Sequence, residues 1–166
     1  MSVRKGRETK RWRLAATATP VSGRPRLAWA MLVLALAGIV VSGYLAITYF
    51  SNAQVVCNGL GQCEQVQASA YSRIYGVPIA YFGFPSYVAI ALGIAGRLGW
   101  RGDRAYLALL GAQTLAIAGA VFSAYLTYVE FFVINATCPW CLTSAALSAL
   151  LVGCGIVQVR RELARA

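Results

Sequence analysis

Four stretches of the chain, residues 27–50, 77–96, 105–129 and 138–159, contain no charged side chain, and polar residues gather between them. Each reaches the roughly 20 residues that an α-helix needs to cross the hydrocarbon layer of a bilayer. None alternates with the two-residue period of a half-buried strand, and in lipid only helices or closed barrels satisfy their own backbone, so four helices are expected. Pro78 and Pro139 fall in the first turns of the second and fourth stretches, where the missing N–H has no helical partner to lose. Arg97, Arg101 and Arg104 close the second stretch, and only a short link with Glu130 and Asn135 separates the third from the fourth. The fold expected is an all-α membrane protein, a four-transmembrane-helix bundle with an outer loop. It divides into a tail (1–26), a transmembrane domain (27–159) and a C-terminal tail (160–166).

Charge gives the bundle a direction. Of the 15 Lys and Arg, all but Arg73 fall in the N-terminal tail, in the 97–104 loop or after residue 159. By the positive-inside rule both termini and the middle loop are cytoplasmic, while segments 51–76 and 130–137 face outward from a multi-pass protein of the inner (plasma) membrane. A basic tail also suits nucleic acid or a signal peptide, but the uncharged run that follows exceeds the roughly 7–15 residues of a signal h-region. At 59% hydrophobic and 12% charged, the 166 residues leave no room for a sizeable water-soluble domain. The absence of His excludes His-based triads, histidine-held haem and most catalytic zinc sites. Transport is disfavoured because the four runs carry no charge.

The five cysteines are Cys57, Cys63, Cys138, Cys141 and Cys154. Cys57 and Cys63 lie in the first outer segment as CNGLGQC, where Gly59 and Gly61 permit the reversal that a disulfide needs. On its own that pair is either a structural staple or a redox pair. Cys138 and Cys141 form CPWC where the chain re-enters the membrane. Cysteines three apart share one helix face, and unpaired N–H groups at a first turn stabilise a thiolate, so redox chemistry is favoured over a passive bridge that closes almost no loop. A four-cysteine zinc or iron–sulfur site is the non-redox competitor. Cys154 lies roughly 20 Å further along the fourth helix by standard rise and reads as a packing residue among Ser144, Ala145, Ser148 and Gly155.

Apart from Trp12, Trp29, Trp100 and Tyr106, the aromatic residues fall in the outer half or its loops, whereas an interfacial belt would populate both sides. Tyr44, Tyr49, Phe50, Tyr81, Phe82, Phe84, Tyr87, Phe122, Tyr125, Tyr128 and Trp140 are available to wall a flat apolar pocket beside CPWC, suited to a lipid-soluble quinone, or to pack as a thick rim.

The order of these parts resembles the vitamin K epoxide reductase family, in particular its bacterial single-domain members. The resemblance covers most of the chain after residue 26 and rests on Cys57 and Cys63, on SAYSRIYGVPIAYFG at 69–83, and on CPWC at the outer start of the fourth span. Disulfide-bond formation protein B is a weaker likeness, because it carries its two kinds of cysteine pair in the reverse order. The resemblance implies a membrane thiol–quinone oxidoreductase. Electrons would pass from a separate thioredoxin-like or DsbA-like thiol oxidoreductase to Cys57/Cys63, then to Cys138/Cys141, then to a quinone (menaquinone, phylloquinone or ubiquinone). Many relatives carry a fused thioredoxin-like domain, and a chain stopping at Ala166 implies a separate partner. By the same resemblance Cys63 exchanges with Cys138 and Cys141 faces the quinone, with Ser69 and Ser72 as further contacts, although the two serines also suit helix capping; from the aromatic wall Tyr81, Phe84 and Tyr125 are the expected contacts. The glycine-containing loop is expected to move between partner and CPWC. Without His, proton transfer falls to thiols, hydroxyls, water or Glu130. The reading from another class is a small non-enzymatic membrane protein, a transporter subunit or assembly factor, with structural disulfides.

Overall fold

A computed structural model describes residues 25–51, 53–57, 61–100 and 102–164. The basic tail 1–24 with Trp12, together with Gly59, Arg101 and Arg165, lies outside the described residues. Among the described residues, four helices are long and apolar enough to cross a membrane. They are α1 (Pro25–Phe50), α3 (Ala80–Gly99), α4 (Asp103–Val129) and α5 (Pro139–Leu163); a short helix α2 (Cys63–Ala68) and a 3-10 turn (Ala70–Ser72) lie between the first two. The long helices pack in a ring, α1 on α3, α3 on α4, α4 on α5, and α5 back on α1.

Small residues set how closely the helices approach, as expected where lipid supplies no hydrophobic drive between them. A Cβ at Gly93 would come within 2.9 Å of Ala112 Cβ, bringing α3 onto α4. One at Gly38 of α1 would enter the ring of Tyr87 on α3. Gly38→Ala therefore displaces a buried ring, and roughly 1–3 kcal/mol of stability should be lost. Thermal unfolding in detergent should show a lowered midpoint for Gly38→Ala and an unchanged or raised one for Gly153→Ala, where an added Cβ meets nothing.

The bundle is unevenly filled. Away from the cysteines, Met31, Ala35, Ile94, Leu109, Ala112 and Leu151 make a continuous core, against which Cys154 packs. Toward the cysteines a second cluster gathers Leu45, Val55, Val66 and Ala136 around Cys63 and Cys138, and a cavity opens between the two.

Three local features depart from the sequence expectations. The second span starts at Ala80, and Pro78 belongs to a hairpin rather than to a first helical turn. Strands β1 (Arg73–Ile74) and β2 (Val77–Pro78) pair antiparallel, Ile74 opposite Val77, across Tyr75 and Gly76, both at positive φ. Positive φ at both central residues is the primed turn that matches the twist of paired strands. The third span does not stop at Val129. It continues as a π-helical turn, Glu130–Ile134, and ends at Asn135 in the left-handed region (φ 52, ψ 38). Finally, the spans do carry charge: Glu130, 3% exposed, sits at the cysteine end of the third, and buried Arg97 lies in the last turn of α3.

Candidate redox site

Both cysteine pairs stand at one end of the bundle. Cys57 and Cys63 are joined as a disulfide with Cα atoms 6.4 Å apart, within the span that such a bridge allows. Cys138, Cys141 and Cys154 are free. With the loop sulfurs bonded to each other, the four cysteines at this end do not converge as a metal-ligand set among the described residues.

The loop is seated on the CPWC segment. The Gln62 N–H donates to the Thr137 carbonyl at 2.9 Å. Trp140 Nε1 donates to the Val56 carbonyl at 3.0 Å, while the Val56 N–H donates to the Tyr44 hydroxyl at 3.0 Å. The Tyr44 and Trp140 rings meet at 4.8 Å between centroids. Gly61 allows this approach, since a Cβ there would lie 2.7 Å from Pro139 Cδ. The described ends of the expected mobile loop are thus tied on both sides to CPWC. Burial is graded across the pair: Cys63 is 2% exposed and shares its cluster with Cys138 at 0%, whereas Cys57 is half-buried at the edge.

Cys138 occupies the N-cap of α5, its carbonyl accepting the Leu142 N–H at 3.0 Å, with Pro139 at the first helical position. Its thiol interacts with Cys141 one turn on, and that hydrogen bond holds Cys138 below the ordinary thiol range. The Cys138 N–H donates to Glu130 Oε2 at 3.3 Å, and the Glu130 and Cys141 side chains both border the cavity. Cys141 is the only cysteine on the wall of the cavity.

That cavity, of about 340 Å³, is bounded by all four spans and by the Val66–Ser72 segment, and its surface is mostly apolar. Its size and chemistry lie in the ordinary range for a small-molecule site: apolar walls with a few convergent polar groups. Ser69, Ser72 and Cys141 line it. The two serine hydroxyls close the C-terminal end of α2, Ser69 on the Val66 carbonyl and Ser72 on that of Gln67, each at 2.6 Å. Tyr81, Phe84 and Tyr125 do not line it; each side chain is over a third exposed on the flank of the bundle. In their place stand Tyr49, Phe82, Tyr87 and Phe122. Neighbouring positions on a helix are about 100° apart, so a wall that takes Phe82 turns Tyr81 away.

Sequence reasoning also passed over Ser144 and Ser148 as packing residues. Both line the cavity, and the Tyr87 hydroxyl donates to the Ser144 carbonyl at 2.8 Å and lies 3.0 Å from Ser144 Oγ. Their four-residue spacing on one face of an apolar span is the signal that marked them.

A four-span bundle holding a bridged cysteine pair over a free CxxC pair, with a ligand-sized hollow beneath, defines a membrane thiol-redox protein. The sequence profile of the vitamin K epoxide reductase family matches residues 29–156, and the chain belongs to that family. Its members are in general membrane thiol–quinone oxidoreductases coupled to thioredoxin-like partners. No individual curated protein matches the chain in sequence.

Proposed function

We propose that this protein reoxidises a separate extracytoplasmic thioredoxin-like or DsbA-like partner and passes the electrons through Cys57/Cys63 and Cys138/Cys141 to a quinone held in the cavity. The observation that carries this reading is the graded burial of the cysteines. Cys57 stands at the edge, Cys63 and Cys138 lie buried in one cluster, and Cys141 opens onto the hollow. In the first exchange a partner thiolate attacks Cys57, the loop disulfide breaks, and the Cys63 thiolate is released; the partner's second thiol then resolves the adduct. Cys63 next attacks Cys138 of an oxidised CPWC pair, and Cys57 closes the loop bridge again, leaving Cys138 and Cys141 as thiols. A bound quinone supplies a two-electron, two-proton acceptor, which regenerates the Cys138–Cys141 disulfide.

The distribution of Lys and Arg supports an orientation with the cysteine end outside and both tails in the cytoplasm. Residues 27–159 act as the quinone-dependent redox domain, between the two basic tails. Ser69, Ser72 and Cys141 are the proposed contacts to the quinone from the original set, joined by Tyr87 and Phe122.

The test is trapping. With Cys63→Ser, and with the partner's own second cysteine removed, nothing nearby resolves a mixed disulfide, so a partner adduct should accumulate on Cys57. With Cys57→Ser, a bridge from Cys63 to Cys138 should appear on a non-reducing gel after proteolysis between the spans. An adduct on Cys63 would reverse the order, and finding neither species would reduce the loop pair to a staple.

A further inference from the structure

Glu130 is the one carboxyl group on the cavity wall, and no Lys or Arg lines that wall among the described residues. A carboxylate that is 3% exposed is costly to hold unless it is hydrogen-bonded or its charge is used. The chain goes to some length to place it. The third span ends in the π-helical turn Glu130–Ile134, Asn135 enters the left-handed region, and the Ala136 N–H folds back to the Glu130 carbonyl at 3.1 Å. Here the reversal lays the head of α5 over the Glu130 side chain. Its Oε2 takes the Cys138 N–H at 3.3 Å, and its carboxyl shares the cavity wall with Cys141, one turn beyond Cys138. Cys138, Cys141 and Glu130 thus stand together at one side of the hollow.

The other titratable groups facing this cluster are Tyr49, Tyr71 and Tyr87, which share the wall. Tyr49 and Tyr87 direct their hydroxyls at the carbonyls of Gln67 and Ser144. Phenols and alcohols ordinarily keep their protons at physiological pH, whereas a carboxyl group gives and takes one.

We propose that Glu130 is a catalytic acid–base of this site, moving the thiol protons of Cys138 and Cys141 to the ligand in the cavity. The proposal rests on the thiol–quinone reading above. Oxidising the CPWC pair forms one S–S bond and releases two electrons and two protons, and reducing a quinone to a quinol consumes the same. The carboxylate accepts the Cys141 proton, delivers it to an oxygen of the acceptor, and is then free to pass on the proton of Cys138. Glu130 ends the cycle in the state in which it began, and no proton need come from bulk water.

Glu130→Gln keeps an oxygen for the Cys138 N–H but cannot carry a proton, whereas Glu130→Asp keeps the acid on a shorter arm. With full-length protein in detergent, dithiothreitol as donor and a short-tailed benzoquinone as acceptor, Gln should lower turnover on the order of 10²-fold, with Asp recovering part of the loss. A readout independent of turnover is the pH dependence of Cys141 alkylation by iodoacetamide in a Cys138→Ala background. Two coupled steps are expected with Glu130 present and one with Gln. Turnover of the Gln variant within about twofold of the unsubstituted protein, with both alkylation steps retained, would overturn the proposal. So would equal losses in Gln and Asp accompanied by a lowered unfolding midpoint, which would mark a structural cap. If the unsubstituted protein reduces no quinone, the redox reading fails instead, and the alkylation profile still decides the role of Glu130.

Discussion

Cys141→Ala should reduce no quinone with any thiol donor, while its Cys57–Cys63 bridge still forms. Among the cysteines only Cys141 reaches the cavity wall, and Cys138 is fully buried behind it. Cys154 offers no substitute, since it lies roughly 20 Å further along α5 and packs in the opposite core. Without Cys141 the remaining thiol of the pair has no partner with which to close a disulfide, so the two electrons have no exit. A loss of at least about 10³-fold is expected, because a disulfide relay has no partial form. The decline of quinone absorbance with dithiothreitol measures it, and mass spectrometry under non-reducing conditions reports the loop bridge. Appreciable turnover in this variant would remove Cys141 from the electron path. Loss of the bridge as well would indicate that the substitution disturbed the fold.

The double variant Cys57→Ala/Cys63→Ala should separate the donors. A small dithiol can work into the space beside Cys138 once the loop sulfurs are gone, and turnover with it should stay within roughly tenfold. A folded thioredoxin-like donor presents its thiol on a convex surface and cannot follow it to a sulfur with no exposed area. Its rate should fall below detection. The seat of the loop should survive, because the Gln62 to Thr137 and Trp140 to Val56 hydrogen bonds do not involve the bridge. Parallel assays with dithiothreitol and with a purified thioredoxin-like protein make the comparison. Equal loss with both donors would sink the division of labour between the pairs.

The four spans were legible because charge is excluded from lipid, and runs without charge mark where the chain crosses. Their ends were less so. A Tyr-Gly pair is a weak turn signal beside Asn-Gly, which hid the hairpin at Tyr75 and assigned Pro78 to a helix. Glu130 looked like the start of a polar link, yet a π-helical turn carries it inside. The cysteine pairs could be placed at one end from their positions between spans. Which aromatics faced the hollow could not be read, for a physical reason: in a bilayer the outward face of a helix is as apolar as the inward one, so hydropathy does not reveal its rotation. Phe82 and Phe122 line the cavity while Tyr81 and Tyr125 do not, and only packing decides between them. The glycine contacts that set this packing, Gly38 against Tyr87 above all, leave no trace in a single sequence.

The uneven filling of the bundle sets a limit on how sturdy this protein can become. Beside the cysteines, residues from all four spans face a hollow that supplies no packing atoms of its own. A ligand bound there would touch four helices at once and stabilise the fold by its own binding free energy. On the proposed function, a descendant with bulkier residues in place of Ser42, Gly83 and Gly119 would make a tighter bundle and an idle one. Selection for endurance and selection for turnover therefore pull on the same few small residues in opposite directions.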